Sequence, residues 1–247
     1  AFTSLGEFIL PLLVTTLEIR SMWFGWSFMV GVIILVANLI LLTHVTFPTR
    51  NQVTQADVVE DSHVSRGKRW MATIALSIYG YTTMAIMILF TQWITIFATK
   101  ELNYTNIVAH SLLSLYSIGS ISGVLVVFVL LKREVSETLL LVVNNVASLI
   151  ALLVICYTST QWLSAAAAFV FGFTAASGML QTALNVLLRL YPDHKGIVTG
   201  TYFTFGSIAT FTVPIITGWR SKSSIGAALR FDILVGIVGT AMVFITA

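Results

Sequence analysis

The chain has 247 residues, of which 57% are hydrophobic and only 9% charged, and its formal net charge is +3. A soluble domain carries about 25% charged residues, so no water-facing surface could be assembled from these few. Its 13 Lys and Arg are scattered between apolar segments and form no basic patch, which excludes nucleic acid as a partner.

Charged residues leave uncharged runs of 29 residues (21–49), 30 (70–99), 30 (102–131), 51 (138–188), 24 (196–219) and 15 (233–247). A helix rising about 1.5 Å per residue needs roughly 20 apolar residues to cross a hydrocarbon core. Every run but the last therefore holds a crossing, and the run of 51 holds two. Turn residues and charges place the predicted helices at 3–19, 23–43, 69–98, 105–131, 137–157, 161–190, 196–218 and 226–246. The expected protein is an all-α integral membrane protein with eight transmembrane helices. The chain opens Ala1-Phe2-Thr3 without an initiator Met and stops at Ala247 inside an apolar run, as expected of a piece of a longer protein.

Between the second and third predicted helices lies the one long polar stretch, residues 44–68, with Arg50, Asp57, Glu60, Asp61, Arg66 and Lys68. It divides the chain into a two-helix unit (1–43), a cytoplasmic linker (44–68) and a six-helix unit (69–247). Cytoplasmic loops hold the excess of Lys and Arg. With the linker inside, Arg50, Arg66, Lys68, Arg69, Lys132, Arg133, Arg189 and Lys195 lie on the inner side, against Arg20, Lys100, Arg220, Lys222 and Arg230 on the outer.

Function has to reside in the few polar side chains that the apolar runs retain. Glu7 is read as the carboxylate inside a crossing and away from a loop. A carboxylate at that depth faces a cavity and binds a proton, a cation or substrate. Along 69–98, Tyr79, Thr83, Phe90 and Trp93 recur on one stripe with Gln92 beside it. Aromatic rings with hydroxyl and amide neighbours suit a small polar organic solute, which stacks on one and hydrogen-bonds to the other. His110 shares a helix face with Ser114 and Ser117 and is a candidate proton relay near the outer end. The lone Cys156 lies in an apolar run and suggests neither disulfide nor metal.

In 161–190, Thr174, Ser177, Gly178, Gln181 and Asn185 recur at i, i+3, i+4, i+7 and i+11, one polar stripe on a continuous helix. Facing lipid it would leave its amides unsatisfied, so it is expected to face protein or water. Ser177, Gln181 and Asn185 join the candidate substrate-binding residues. Tyr202, on the next helix, is a further cavity candidate.

The most specific pattern is Arg189-Leu190-Tyr191-Pro192-Asp193-His194-Lys195-Gly196, followed by Gly200, Gly206, Pro214 and Gly218 in one apolar helix. Pro192 stops one helix and Gly196 lets the chain reverse. Small residues at Gly200, Ser207 and Gly218 are expected to let neighbouring helices approach closely. The segment resembles the connection between the tenth and eleventh helices of major facilitator superfamily (MFS) transporters, and the resemblance extends over the whole chain. It implies that 69–247 is the carboxyl-terminal six-helix bundle, that the first two helices are helices five and six, and that 44–68 is the central linker. Trp23-Phe24-Gly25-Trp26-Ser27-Phe28 looks like the aromatic entry to helix six, and Gly119 with Lys132-Arg133 like a degenerate Gly-to-basic loop motif. Asn144, Asn145 and Ser148 then fall on a peripheral helix and are expected to hold helices together.

Gly6 and Pro11 stand where proton antiporters of the superfamily show a denser Gly-Pro-Gly-Gly motif. The resemblance therefore implies a permease working by alternating access, as a proton-coupled symporter or a uniporter of a small polar solute, multi-pass in the cell membrane. Its partners would be that solute, protons, the lipid bilayer and the remaining amino-terminal half of the same protein. No phosphate-binding loop, nucleophile elbow or metal-binding His-Glu-x-x-His occurs, so neither an enzyme nor a cofactor is expected. The rival readings are a transport-inactive truncation and a membrane-embedded enzyme or receptor.

Overall fold

A computed structural model describes residues 25–44, 65–221 and 224–246. The expectation for a helix at 3–19, and with it Glu7, lies outside the described residues. The chain divides into two compact units, 2–60 and 61–247, the second including Ala1. In the first, α1 (Trp26–His44) is a uniformly apolar helix, exposing Phe28, Ile33, Leu35 and Leu39 along its length. At its end His44 Nδ1 lies 2.9 Å from the Ile40 carbonyl.

The second unit contains α2 (Arg66–Lys100), α3 (Asn106–Lys132), α4 (Glu137–Tyr157), α5 (Gln161–Ala175), α6 (Met179–Leu190), α7 (Lys195–Arg220) and α8 (Ile225–Thr246). Apart from the α5–α6 pair, these follow the predicted helices to within three residues at each end. Starts are set by Ser65, Thr105 and Ser136, whose hydroxyls accept first-turn N–H groups at 3.5 Å. Pro192 opens a single 3₁₀ turn, Pro192–His194, between α6 and α7.

Five spans, 66–100, 106–132, 137–157, 161–190 and 225–246, combine the length and hydropathy needed to cross a membrane. At 26 residues, α7 is long enough, but its threonines and glycines lower its hydropathy. A helix can be this polar at membrane depth when each hydroxyl bonds its own backbone. Thr204, Thr212 and Thr217 do so, donating to the carbonyls of Gly200, Ile208 and Val213 at 2.8, 3.0 and 2.8 Å.

Helix α2 is the hub, packing against α8, α7, α3 and α6, while α3 lies along α5 and α4 bridges α5 and α8. The interior has two apolar layers. One is built on Leu89, Phe90, Leu112, Tyr116, Ile155 and Phe171, the other on Leu76, Tyr79, Leu141, Leu184 and Tyr202. In the first layer the rings of Phe90 and Phe171 stand 4.4 Å apart and those of Phe90 and Tyr116 5.2 Å apart. Buried polar residues on α2 and α4, Thr82, Asn144, Asn145 and Ser148, sit in the same interior.

Lipid tails are as apolar as leucine, so helix association in a bilayer rests on close packing rather than on escape from water. The closest packing is between α3 and α5. A Cβ placed on Gly119 or Gly123 would collide with the carbonyl oxygens of Phe169 and Phe173, and one on Gly172 with that of Tyr116. Gly119 and Gly123 are four residues apart, the small-xxx-small spacing that lets two backbones touch. By contrast, nothing among the described residues approaches Gly196, Gly200 or Gly218. The expected close approach thus occurs on α3 and α5, not on the outward side of α7.

Outside the bilayer core, Glu101 at the carboxyl end of α2 accepts the Gly226 N–H at 2.9 Å and the Ser224 hydroxyl at 3.3 Å. A carboxylate there satisfies an otherwise orphaned N–H and complements the positive end of α8. At the opposite end of the bundle, Arg189 Nη2 bonds Glu137 Oε1 at 2.9 Å and ties α6 to α4.

Gly172→Ala should lower stability by about 1–3 kcal/mol, because the added methyl meets backbone that cannot rotate away. Gly200→Ala, in open space, should leave it unchanged. Thermal unfolding of the two variants in detergent, followed by tryptophan fluorescence, checks the contrast. Separately, Glu101→Gln should cost about 1 kcal/mol in the same assay through weakened capping of α8.

Candidate functional site

The 161–190 span is not one continuous helix. It breaks at 176–178, near its middle, into α5 and α6. Gly178 takes φ +89°, a left-handed conformation that a side chain resists and glycine accepts. Carbonyls on either side of the break accept side-chain hydroxyls from within the protein. Ser120 on α3 donates to the Ala176 carbonyl at 3.0 Å, Ser177 to that of Thr174 at 3.1 Å, and Tyr202 on α7 to that of Leu180 at 3.0 Å.

The polar stripe expected on one helix is accordingly split. Thr174 and Ser177 are buried at the break, whereas Gln181 and Asn185 are exposed on α6. Gly178 supplies no side-chain cap for the first-turn N–H groups of α6. The Gln181 amide oxygen stands beside that turn, 3.8 Å from where a Cβ of Gly178 would lie. Carbonyl, N–H and amide groups thus gather where the helix breaks, and Asn185 follows one turn later.

Four other sequence candidates are interior. Tyr79, Thr83 and Ser177 are buried, and Tyr202 is fully so, its ring lying against Gly80 with its hydroxyl on Leu180. On α2, Gln92 is exposed and Trp93 half-buried, and the Trp93 indole N–H finds no partner among the described residues. His110 is exposed in the first turns of α3. The structure therefore separates the candidates into an exposed set (Gln92, His110, Gln181, Asn185) and an interior set. Exposed on α7, on the side away from Tyr202, are Gly200, Thr204 and Ser207. Their three-to-four-residue spacing puts them on one face of the helix.

At the end of the bundle that charge counting assigns to the cytoplasm, Arg66, Arg69, Trp70 and Tyr191 line a cavity of about 370 Å³. The Arg69 guanidinium stands 5.8 Å over the Tyr191 ring, and the Tyr191 hydroxyl lies 2.8 Å from Thr73 Oγ1. No group of His, Cys, Asp and Glu able to hold a metal occurs among the described residues.

One residue escaped the sequence reading. Asp232 lies inside α8 and is 0% exposed, with neither carboxylate oxygen hydrogen-bonded among the described residues. Its place between Arg230 and the next apolar run disguised it as part of a loop margin.

Five described spans, one of them a broken helix, and the glycine-packed α3–α5 pair make an all-helical membrane bundle, and comparison with known proteins decides the family. The family model of the Major Facilitator Superfamily matches residues 1–246. The chain belongs to the major facilitator superfamily. Among this MFS chain's relatives, the "Inner membrane transport protein YdiM" of Escherichia coli (strain K12) is 34% identical over 241 residues, covering 97% of this chain and 59% of that one. The "Uncharacterized MFS-type transporter YfkL" of Bacillus subtilis (strain 168) is 31% identical over 244 residues, covering 98% and 61%. The "Inner membrane transport protein YdiN" of Escherichia coli (strain K12) is 26% identical over 250 residues, covering 99% and 59%. The MFS chain thus spans about three fifths of the length of the curated relatives it matches, and it is an integral, multi-pass membrane protein.

Gly178→Ala should cost about 1–2 kcal/mol from the left-handed backbone alone, since nothing crowds the added methyl. Thermal unfolding of that variant beside Gly218→Ala, on regular helix in open space, separates the backbone effect from any packing effect.

Proposed function

We propose that this MFS chain is part of a secondary transporter that carries a small polar organic solute across the cytoplasmic membrane by alternating access. The observation that carries the reading is the break in the 161–190 span, with exposed Gln181 and Asn185 following it. Transporters use interrupted helices at membrane depth because the freed backbone groups and helix ends can bind polar solutes. The family match over 1–246 and the transport proteins among its relatives support the same reading.

An amide offers both donor and acceptor, so Gln181 and Asn185 suit hydroxyl, amide or carboxyl groups without demanding a fixed charge. Gln92 supplies a third amide, and the unpartnered indole N–H of Trp93 a donor beside an apolar ring. The reading gives first contact with solute to these four residues. Tyr79, Thr83, Ser177 and Tyr202 act behind them, as the interior support that fixes α2, α6 and α7. Glu7 and His110 remain the proton-coupling candidates of the sequence. The second bundle that alternating access requires is taken to belong to the same protein, since about two fifths of the relatives' length lies outside this chain.

The test is uptake by the full-length protein in proteoliposomes across a panel of sugars, organic acids and aromatic metabolites. Transport of one class is expected, with KM raised about tenfold by Gln181→Ala or Asn185→Ala, the cost of losing one good hydrogen bond to solute. Ser114→Ala, at a hydroxyl exposed on α3, should leave KM unchanged. Absence of flux for every solute sinks the reading, as does an unaltered KM in both amide variants.

A further inference from the structure

We propose that Asp232 is a proton-binding site at the junction of α8 with α2 and α4, and that loading and unloading it couples proton movement to the packing of α8. The geometry is the argument. Asp232 is wholly buried, and neither oxygen has a hydrogen-bond partner among the described residues. An isolated ionised carboxylate in an apolar interior costs several kcal/mol, and a protein resolves such a cost by pairing the charge or neutralising it.

Among the described residues, no cation is paired with Asp232. Arg230, on α8 itself, is turned onto the ring of Tyr157 at 5.9 Å, and Arg220 of α7 lies over the ring of Phe231 at 5.5 Å. On α2, the nearest acid at the outer end, Glu101, is committed to the Gly226 N–H. From α4, Cys156 lies within electrostatic reach of both Asp232 and Arg230 and is buried among apolar residues. A metal cation would need several oxygen ligands, whereas this site offers two from one side chain. A proton needs only one.

The step is simple to balance. A hydronium at the outer surface gives its proton to a carboxylate oxygen of Asp232 and leaves as water. The neutral acid is then buried between α8, α2 and α4, and the reverse transfer to water regenerates the carboxylate when that junction opens. Asp232 is seven residues into α8, about 10 Å along the helix from its outer end, so a modest displacement of α8 gives water access. Arg220 and Arg230 stand near that end, each held over an aromatic ring. Because α8 packs most extensively on α2, the helix bearing Gln92 and Trp93, the charge state of Asp232 is transmitted to the solute-facing residues.

The coupling half of this inference rests on the transport reading above, so two measurements keep them separable. Infrared spectroscopy of the full-length protein at neutral pH should show a protonated-carboxyl stretch that shifts with isotope-labelled aspartate and disappears in Asp232→Asn. Its absence from the labelled wild-type protein overturns the proposal, whether or not the variant folds. In proteoliposomes, the wild type should accumulate solute about tenfold per unit of pH gradient, the limit for one proton per solute. Asp232→Asn should keep solute counterflow and lose that accumulation. Accumulation unchanged in the variant overturns the coupling role. Absence of counterflow in the wild type overturns the transport reading instead, and leaves the infrared result to decide the proton site.

Discussion

A peptide group inside hydrocarbon has no water to bond, and the architecture of this bundle follows from meeting that demand within the protein. Uninterrupted helix meets it throughout α2, α3, α4 and α8, and in α7 except at Pro214, which has no N–H to offer the carbonyl of Thr210. Most serine and threonine hydroxyls meet it locally, by donating to a carbonyl one turn back, as Thr73, Thr91 and Thr174 do. This leaves the bundle cheap to bury despite its polar content. It also means that a hydroxyl in these helices is weak evidence of a binding role, whereas an amide or carboxylate, which cannot be satisfied so simply, is stronger evidence.

The break between α5 and α6 is the place where local satisfaction fails and the rest of the protein compensates. Side chains from α3 and α7 reach carbonyls on either side of it, so the break is held by two neighbouring helices at once. A rigid, externally braced interruption presents its groups in fixed directions, and preorganisation of that kind favours selective binding.

Helix limits were legible because charge, proline and run length act locally: Pro192, Ser136 and the Lys100-Glu101 pair mark ends within a few residues. The interruption at Gly178 was not, since Ala175-Ala176-Ser177-Gly178 suits a continuous helix as well as a broken one, and Ser120 and Tyr202 arrive from 56 and 22 residues away. For the same reason the periodic stripe from Thr174 to Asn185 was readable as a pattern but not as two different environments. Glycine spacing showed which residues were small, not which helix they would meet: Gly119 and Gly172 found each other's helices, and Gly200 found none among the described residues. Asp232 was hidden by depth, since a charge seven residues into a helix resembles a loop charge until burial is known.

The contact of Glu101 with Gly226 joins residues 125 apart in sequence, the carboxyl end of α2 to the beginning of α8. A membrane protein is inserted as it is synthesised, so α2 enters the bilayer well before α8 exists. Until α8 emerges, Glu101 has no Gly226 N–H to hold, and the face of α2 carrying Thr82 lacks Gly239 beside it. Release of the nascent chain before α8 would strand α2 with its most extensive interface open.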